Sequence, residues 1–173
     1  MEKENKQKKE RKRMSPDMVP EGFTVSLCIV DLIPVICFFF SVIFLTQKTY
    51  FNYLFVFGGL ICTISGVIKV WWKFIVAIKK KNVWWMFKQM RIIFPVGFLL
   101  FFIGLISILK NNSDTILNAN LYSKIFFTLW IIGLSFMTLC AIKLDSSDPK
   151  ANWIEQTTNG ISQIFLCLAI KFL

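Results

Sequence analysis

The chain has 173 residues, of which 55% are hydrophobic and 16% aromatic, and its mean hydropathy is +0.61. A soluble domain of this size needs more polar residues to cover its core, so the composition excludes a soluble globular protein and indicates an integral membrane protein. The formal net charge of +10 comes from 20 Lys and Arg residues that cluster at the ends of apolar segments. This clustering favours an anionic membrane leaflet over nucleic acid as the counter-charge.

The chain begins with a basic tail over residues 1–22, followed by an apolar segment over residues 23–46. The tail contains MEKENKQKKERKR, which lacks aromatic residues and is typical of a disordered segment. The apolar segment exceeds the roughly 20 residues that cross about 30 Å of hydrocarbon, and it lacks a small-residue cleavage site. We therefore expect a membrane anchor and not a signal peptide.

Asp31 is the only charged residue in this first segment. An acid at this depth is costly, so it must meet water or a cation. One interpretation is a proton or cation site, assisted by the carbonyl that Pro34 frees from the helix. The alternative, which we favour, is an ion pair with Lys69, Lys73 or Arg91, all of which we predict at a similar depth.

The second apolar segment, residues 52–77, carries small residues at four-residue intervals: Gly58, Cys62 and Gly66. Small residues at this spacing let two helix backbones approach closely. They predict either a dimer seam or ordinary helix packing within one bundle, and we favour the packing.

A basic and aromatic hairpin follows, containing Lys79, Lys80, Lys81, Trp84 and Trp85. These residues are candidates for binding anionic lipid headgroups, although positive residues also set the topology of a membrane protein without any ligand. The stretch VWWMFKQMR from residue 83 is amphipathic, and we expect a helix that lies at this surface or emerges from it.

Two more apolar segments cover residues 92–109 and 124–143. Phe94-Pro95-Val96 matches Ile33-Pro34-Val35, and Gly133-Leu134 precedes Lys143 by the interval that separates Gly59-Leu60 from Lys69. The matches suggest a two-hairpin internal repeat, although apolar segments also resemble each other by composition.

The last segment, residues 153–173, is long enough to span but polar in its first half. Glu155, Asn159 and Gln163 share one helical face, which must turn toward protein or water in a membrane. We favour a fifth span packed into the bundle, and the alternative is an amphipathic helix on the surface. The stripe is a candidate functional surface or a set of interhelical hydrogen bonds.

The sequence thus predicts an all-α integral membrane protein in which residues 23–173 form one polytopic domain of four transmembrane helices and a C-terminal helix that we expect to be a fifth span. Seven Lys and Arg residues precede residue 23 and seven lie from Lys69 to Arg91, so we predict a cytoplasmic N-terminus in a plasma (inner) membrane. The C-terminus is then extracytoplasmic if the fifth span holds. As partners we expect the anionic inner leaflet and either a second copy of the chain or another membrane protein. We expect no nucleic acid.

No enzyme motif is present, histidine is absent, and we expect neither a cofactor nor a metal. The candidate polar residues are Asp31, Lys69, Arg91, Glu155, Asn159 and Gln163. We predict a transport-type or transport-accessory subunit with these polar groups on its cytoplasmic side. The alternative is a non-catalytic scaffold, or a subunit that binds a partner or lipid, because an ion-coupled carrier needs ionisable groups near the midplane.

Overall fold

The computed structural model describes residue 19 and the ranges 22–144 and 149–173. Apart from Val19 and Gly22, the predicted tail lies outside the described residues. The described residues form only helices, which are α1 (Val25–Lys48), α2 (Tyr53–Lys79), α3 (Trp84–Gln89), α4 (Ile93–Asn111), α5 (Ser113–Leu117), α6 (Leu121–Lys143) and α7 (Pro149–Lys171).

Side-chain caps and one turn explain where the first two helices begin and end. The Thr24 hydroxyl accepts a hydrogen bond from the Leu27 N–H at 3.2 Å, and the Asn52 side chain accepts one from the Phe55 N–H at 3.1 Å. Each bond satisfies one of the free N–H groups at a helix start. Helix α2 ends where Lys80 adopts a left-handed conformation, with φ 50°.

Four helical segments are long and apolar enough to cross a membrane: Val25–Lys48, Tyr53–Lys79, Trp84–Asn111 and Leu121–Cys140. This confirms the predicted all-α class with four apolar helices, and it indicates a membrane location. The third segment joins α3 and α4 across a short break at residues 90–92. Helix α7 is as long as these segments but more polar, and it is not among the four.

The long helices pack as a chain of neighbours in the order α4, α2, α1, α7 and α6. Helix α7 runs parallel to α1, since Asp31, Pro34 and Lys48 meet Gln156, Gly160 and Lys171 in the same order. Gly160 packs against Pro34 near the middle of the two helices. At their C-terminal ends, the Lys48 ammonium donates a hydrogen bond to the Lys171 carbonyl at 2.6 Å. The contacts therefore follow α1 to its last turn.

Helix α6 packs mainly on α7. The Ser123 hydroxyl donates to the Ala169 carbonyl at 2.8 Å, and Gly133 lies directly against Ser162. Helices α1 and α2 pack together as a hairpin, whereas α4 packs on α2 and α6 on α7. The two halves do not share the same neighbours, so the packing gives no support to the predicted repeat, which stays a prediction.

Two apolar clusters lie at opposite ends of the α1–α2 hairpin. One joins the start of α1 to the end of α2 and to α3, and it contains Phe23, Leu27, Trp72, Val76 and Met86. The other joins α1, α2 and α4 through Val42, Phe55 and Ile108. The first cluster lies at the end of the hairpin that is formed by residues 22–31 and 69–91. We call this the basic end.

Candidate functional site: a buried charge cluster between three helices

Asp31 and Lys73 form a buried ion pair between α1 and α2. Each residue is only 2% exposed, and the Lys73 Nζ lies 2.6 Å from the Asp31 Oδ2. Lys69, one turn before Lys73 in α2, holds its Nζ 3.9 Å from the Asp31 Oδ1, and its side chain is 33% exposed. Two ammonium groups thus surround one carboxylate, and the three charges sum to +1.

Gln156 of α7 completes the cluster. With its amide oxygen turned toward the ammonium, Gln156 donates a hydrogen bond to the Asp31 Oδ1 and accepts one from the Lys73 Nζ at 3.2 Å. This orientation satisfies both ends of the amide, whereas the opposite one puts like atoms face to face. The amide therefore ties α7 to both members of the ion pair.

The surroundings of the ion pair are apolar. The Lys73 Nζ lies 5.7 Å from the centre of the Phe23 ring, at cation–π distance, and Leu27 and Cys28 are fully buried. Phe23 also meets Trp72 edge to face, with 5.7 Å between the ring centres. Charges in such a setting interact strongly, and the loss of either partner leaves an expensive buried charge.

A second polar contact fastens α3 to α2. The Ser65 hydroxyl donates to the Gln89 Oε1 at 2.7 Å, and the Gln89 Nε2 donates to the Ser65 carbonyl at 3.0 Å. The Trp72 indole N–H donates to the Asn82 Oδ1 at 3.1 Å, which ties the intervening turn to α2. Helix α3 therefore packs back alongside α2, and its predicted position at the membrane surface stays a prediction.

The structure separates the other predicted basic and aromatic residues from the charge cluster. The Arg91 guanidinium lies over the Phe87 ring, 5.3 Å from its centre, and it makes no ion pair with the described acids. Trp84 also packs on Phe87, with 5.2 Å between the ring centres. The remaining members of this set are exposed: Lys79, Lys80, Lys81 and Trp85.

The predicted polar stripe on α7 lies beside the cluster and not in it. Glu155, Asn159 and Gln163 are each half-buried, and the Gln163 Oε1 is buried without a hydrogen-bond partner among the described residues. The α7 residue that enters the cluster is Gln156, one position from the predicted stripe. Sequence reasoning missed it, although Asn152, Gln156 and Gly160 also recur at four-residue intervals on an adjacent face.

The small residues of α2 face two different helices. A Cβ on Gly58 would overlap the backbone nitrogen of Phe101 in α4, and the Cys62 Sγ lies 3.9 Å from the Phe94 carbonyl in the same helix. Gly66 instead faces α1, where a Cβ would come within 3.0 Å of a valine methyl. These residues therefore line contacts within the chain.

The site offers hydrogen-bonding and charged groups but few metal ligands. Among the described residues, no three His, Cys, Asp or Glu side chains come together where they could hold a metal ion. Comparison of the chain with protein-family models, with curated proteins and with solved structures found no match. The geometry of the cluster is therefore the basis for a proposed function.

Proposed function

We propose that the protein is a membrane scaffold or accessory subunit, in which the Asp31 cluster fastens three helices and does not carry a transported ion. The observation that supports this is that both oxygens of the buried Asp31 carboxylate already face partners from other helices. One oxygen meets the Lys73 ammonium at 2.6 Å, and the other accepts from the Gln156 amide and faces Lys69. A transported cation would have to displace partners supplied by two other helices.

The position of the cluster supports the same proposal. Helix α2 has 27 residues and is about 40 Å long, which is more than the roughly 30 Å of hydrocarbon requires. Lys73 lies six residues, or about 9 Å, from the end of the helix at Lys79. The cluster then sits near one boundary of the membrane, whereas ion-coupled carriers bind their ions near the midplane.

We infer that α7 crosses the membrane as a fifth span. Its 23 residues make a helix of about 35 Å, and its contacts with α1 extend from Gln156 beside Asp31 to Lys171 beside Lys48. With the basic end cytoplasmic, as the lysine distribution predicts for a plasma membrane protein, the end of α7 is extracytoplasmic.

Cysteine labelling tests this topology in intact cells with a membrane-impermeant maleimide. The wild-type chain serves as the blank, because its cysteines are buried or half-buried within the helices. We expect Tyr50→Cys and Phe172→Cys to be labelled in intact cells and Lys81→Cys to be labelled only after lysis. Labelling of Phe172→Cys that requires lysis, beside a labelled Tyr50→Cys, would refute the fifth span.

Reconstitution into liposomes separates the scaffold from the transport role that the sequence predicted. Proton flux is followed with an enclosed pH dye under sodium or potassium gradients. The matched control is the Asp31→Leu/Lys73→Met double variant, which removes both charges but keeps apolar side chains of similar size. The scaffold proposal expects no flux above protein-free liposomes for either protein.

A wild-type flux that the double variant abolishes would overturn the scaffold proposal and support transport. A scaffold should form a complex with a partner protein in the cell membrane. On a native gel we expect the double variant to migrate in that complex as the wild-type protein does. Asp31→Asn, which leaves Lys73 unpaired, is expected to lose that complex.

A further inference from the structure

The basic end carries a dense, uncompensated positive charge. From Leu32 to Ser113 the chain has nine Lys and Arg residues and no acid, and seven of the nine lie from Lys69 to Arg91. Asp31, on α1, neutralises only one of these seven. Five of them are exposed side chains: Lys79, Lys80, Lys81, Lys88 and Arg91. We call these five residues the basic surface.

The basic surface is displayed by an ordered turn. Lys80 holds a left-handed conformation, and the Trp72–Asn82 hydrogen bond fixes the turn that follows it. The paired hydrogen bonds between Ser65 and Gln89 then hold α3 against α2, with Lys88 on its exposed side. A surface that is already ordered loses less conformational freedom when it binds a ligand.

Aromatic side chains place this surface beside lipid. Trp71 is 62% exposed and Trp85 63% exposed, and both flank the basic turn at the end of apolar helices. Tryptophan prefers the headgroup region of a bilayer, where its ring is half in hydrocarbon. Arg91 extends back along α3 over Phe87, as expected of an arginine whose guanidinium reaches for the interface.

Lys69 adds a charge at the edge of the buried cluster. Its ammonium is 3.9 Å from the Asp31 Oδ1, an oxygen that Gln156 already occupies, and a third of its side chain is exposed. The ion pair of Asp31 with Lys73 is neutral, so Lys69 keeps the positive charge of the cluster. An anion approaching from the membrane boundary meets this charge together with the basic surface.

We propose that the basic surface and Lys69 bind the headgroup phosphates of anionic phospholipids. The position of the charges at the end of apolar helices, with exposed tryptophans between them, fits a phosphate carried on a lipid better than a soluble anion. Each Lys or Arg near an anionic leaflet contributes about 1 kcal/mol, which corresponds to about a fivefold change in relative affinity. This inference holds whether the protein is a scaffold or a transporter.

Quenching of tryptophan fluorescence by brominated phospholipids measures this preference in the full chain. Trp71, Trp72, Trp84 and Trp85 lie at the basic end, so the signal reports mainly on lipids bound there. The protein is reconstituted with brominated phosphatidylglycerol or brominated phosphatidylcholine in an unlabelled background. We expect several-fold tighter binding of phosphatidylglycerol, and we expect about 0.5 M salt to weaken that preference because salt screens exposed charges.

Two triple variants each lose three positive charges, one at the basic end of the helices and the other at the opposite end. Lys79→Gln/Lys80→Gln/Lys81→Gln should reduce the wild-type preference for phosphatidylglycerol, since each lysine contributes up to about fivefold, while Lys69, Lys88 and Arg91 retain the rest. The control replaces Lys48, Lys110 and Lys124 by Gln and should keep the wild-type preference. Equal binding of the two lipids by the wild-type protein, or equal losses in both triple variants, would overturn the proposal.

Discussion

Substitutions of Asp31, Lys73 and Lys69 should destabilise the protein to different extents, in an order that follows from the geometry of the charge cluster. Asp31→Asn leaves the buried Lys73 ammonium without its counter-ion and leaves the Lys69 ammonium facing it. Removing one partner of a buried ion pair costs about 3–5 kcal/mol, and repulsion between two nearby ammonium groups puts this variant at the upper end. Lys73→Met costs less, because Asp31 keeps Lys69 at 3.9 Å and the Gln156 amide.

Lys69→Met should have the smallest effect of the three. The ammonium of Lys69 is partly exposed and stands 3.9 Å from the carboxylate, so its loss should cost no more than about 1 kcal/mol. The Asp31→Leu/Lys73→Met variant should be clearly more stable than Asp31→Asn, because it leaves no unpaired charge in the buried site. Its remaining cost is about 1–3 kcal/mol, because the buried Gln156 amide loses its partners. The losses of stability caused by substituting Asp31 alone and Lys73 alone are therefore not expected to add up in the double variant.

The assay is reversible unfolding in mixed micelles with increasing dodecyl sulfate, followed by tryptophan fluorescence. The expected order of destabilisation is Asp31→Asn, then Lys73→Met, then Lys69→Met. A double-mutant cycle built from Asp31→Leu, Lys73→Met and the Asp31→Leu/Lys73→Met variant should give a coupling of several kcal/mol. Wild-type stability of Asp31→Asn, or a double variant as unstable as the worse single variant, would refute the argument that the ion pair fastens these helices.

Two further predictions concern the packing of α2 against its neighbours. Gly58→Ala should destabilise the protein by about 1–3 kcal/mol, because the added Cβ meets the backbone of Phe101. Gly66→Ala should destabilise it less, because its Cβ meets a side chain that can move. Thermal unfolding compares the two variants, and equal losses of stability would contradict this expectation. Gln89→Leu should cost about 1–3 kcal/mol, because it removes two hydrogen bonds and leaves the buried Ser65 hydroxyl without its amide acceptor. Hydrogen exchange should rise in α3 and not in α7, and unchanged exchange in α3 would argue that its apolar contacts suffice to hold it.

The sequence predicted the features that follow from composition and length. Apolar runs of about 20 residues must cross a membrane or be buried, so the four long helices could be predicted with boundaries close to those observed. A lone acid in such a run must find a cation, so Asp31 and Lys69 could be singled out before their contact was known. Both arguments depend on the high cost of placing polar groups in hydrocarbon.

The contacts between distant residues could not be predicted in the same way. Gln156 meets Asp31 across 125 positions of sequence, and α7 carries polar residues on more than one face. Helical periodicity identifies residues that share a face but not the helix that the face meets. The Ser65–Gln89 contact has no signal in a single sequence either, because both are ordinary residues until α3 folds back along α2.

The proposed fifth span predicts a role for the cluster in insertion as well as in stability. Helix α7 is more polar than the four apolar segments, so insertion of α7 as a span would depend on partners for its polar side chains. Asp31→Asn should therefore hinder insertion of α7 and reduce labelling of Phe172→Cys in intact cells, while Tyr50→Cys remains labelled. Asp31→Leu/Lys73→Met leaves Gln156 without its partners, but it adds no buried charge, and labelling of Phe172→Cys should largely persist. Loss of that labelling in the double variant alone would mean that the amide contact, and not the charge balance, holds α7 in the membrane.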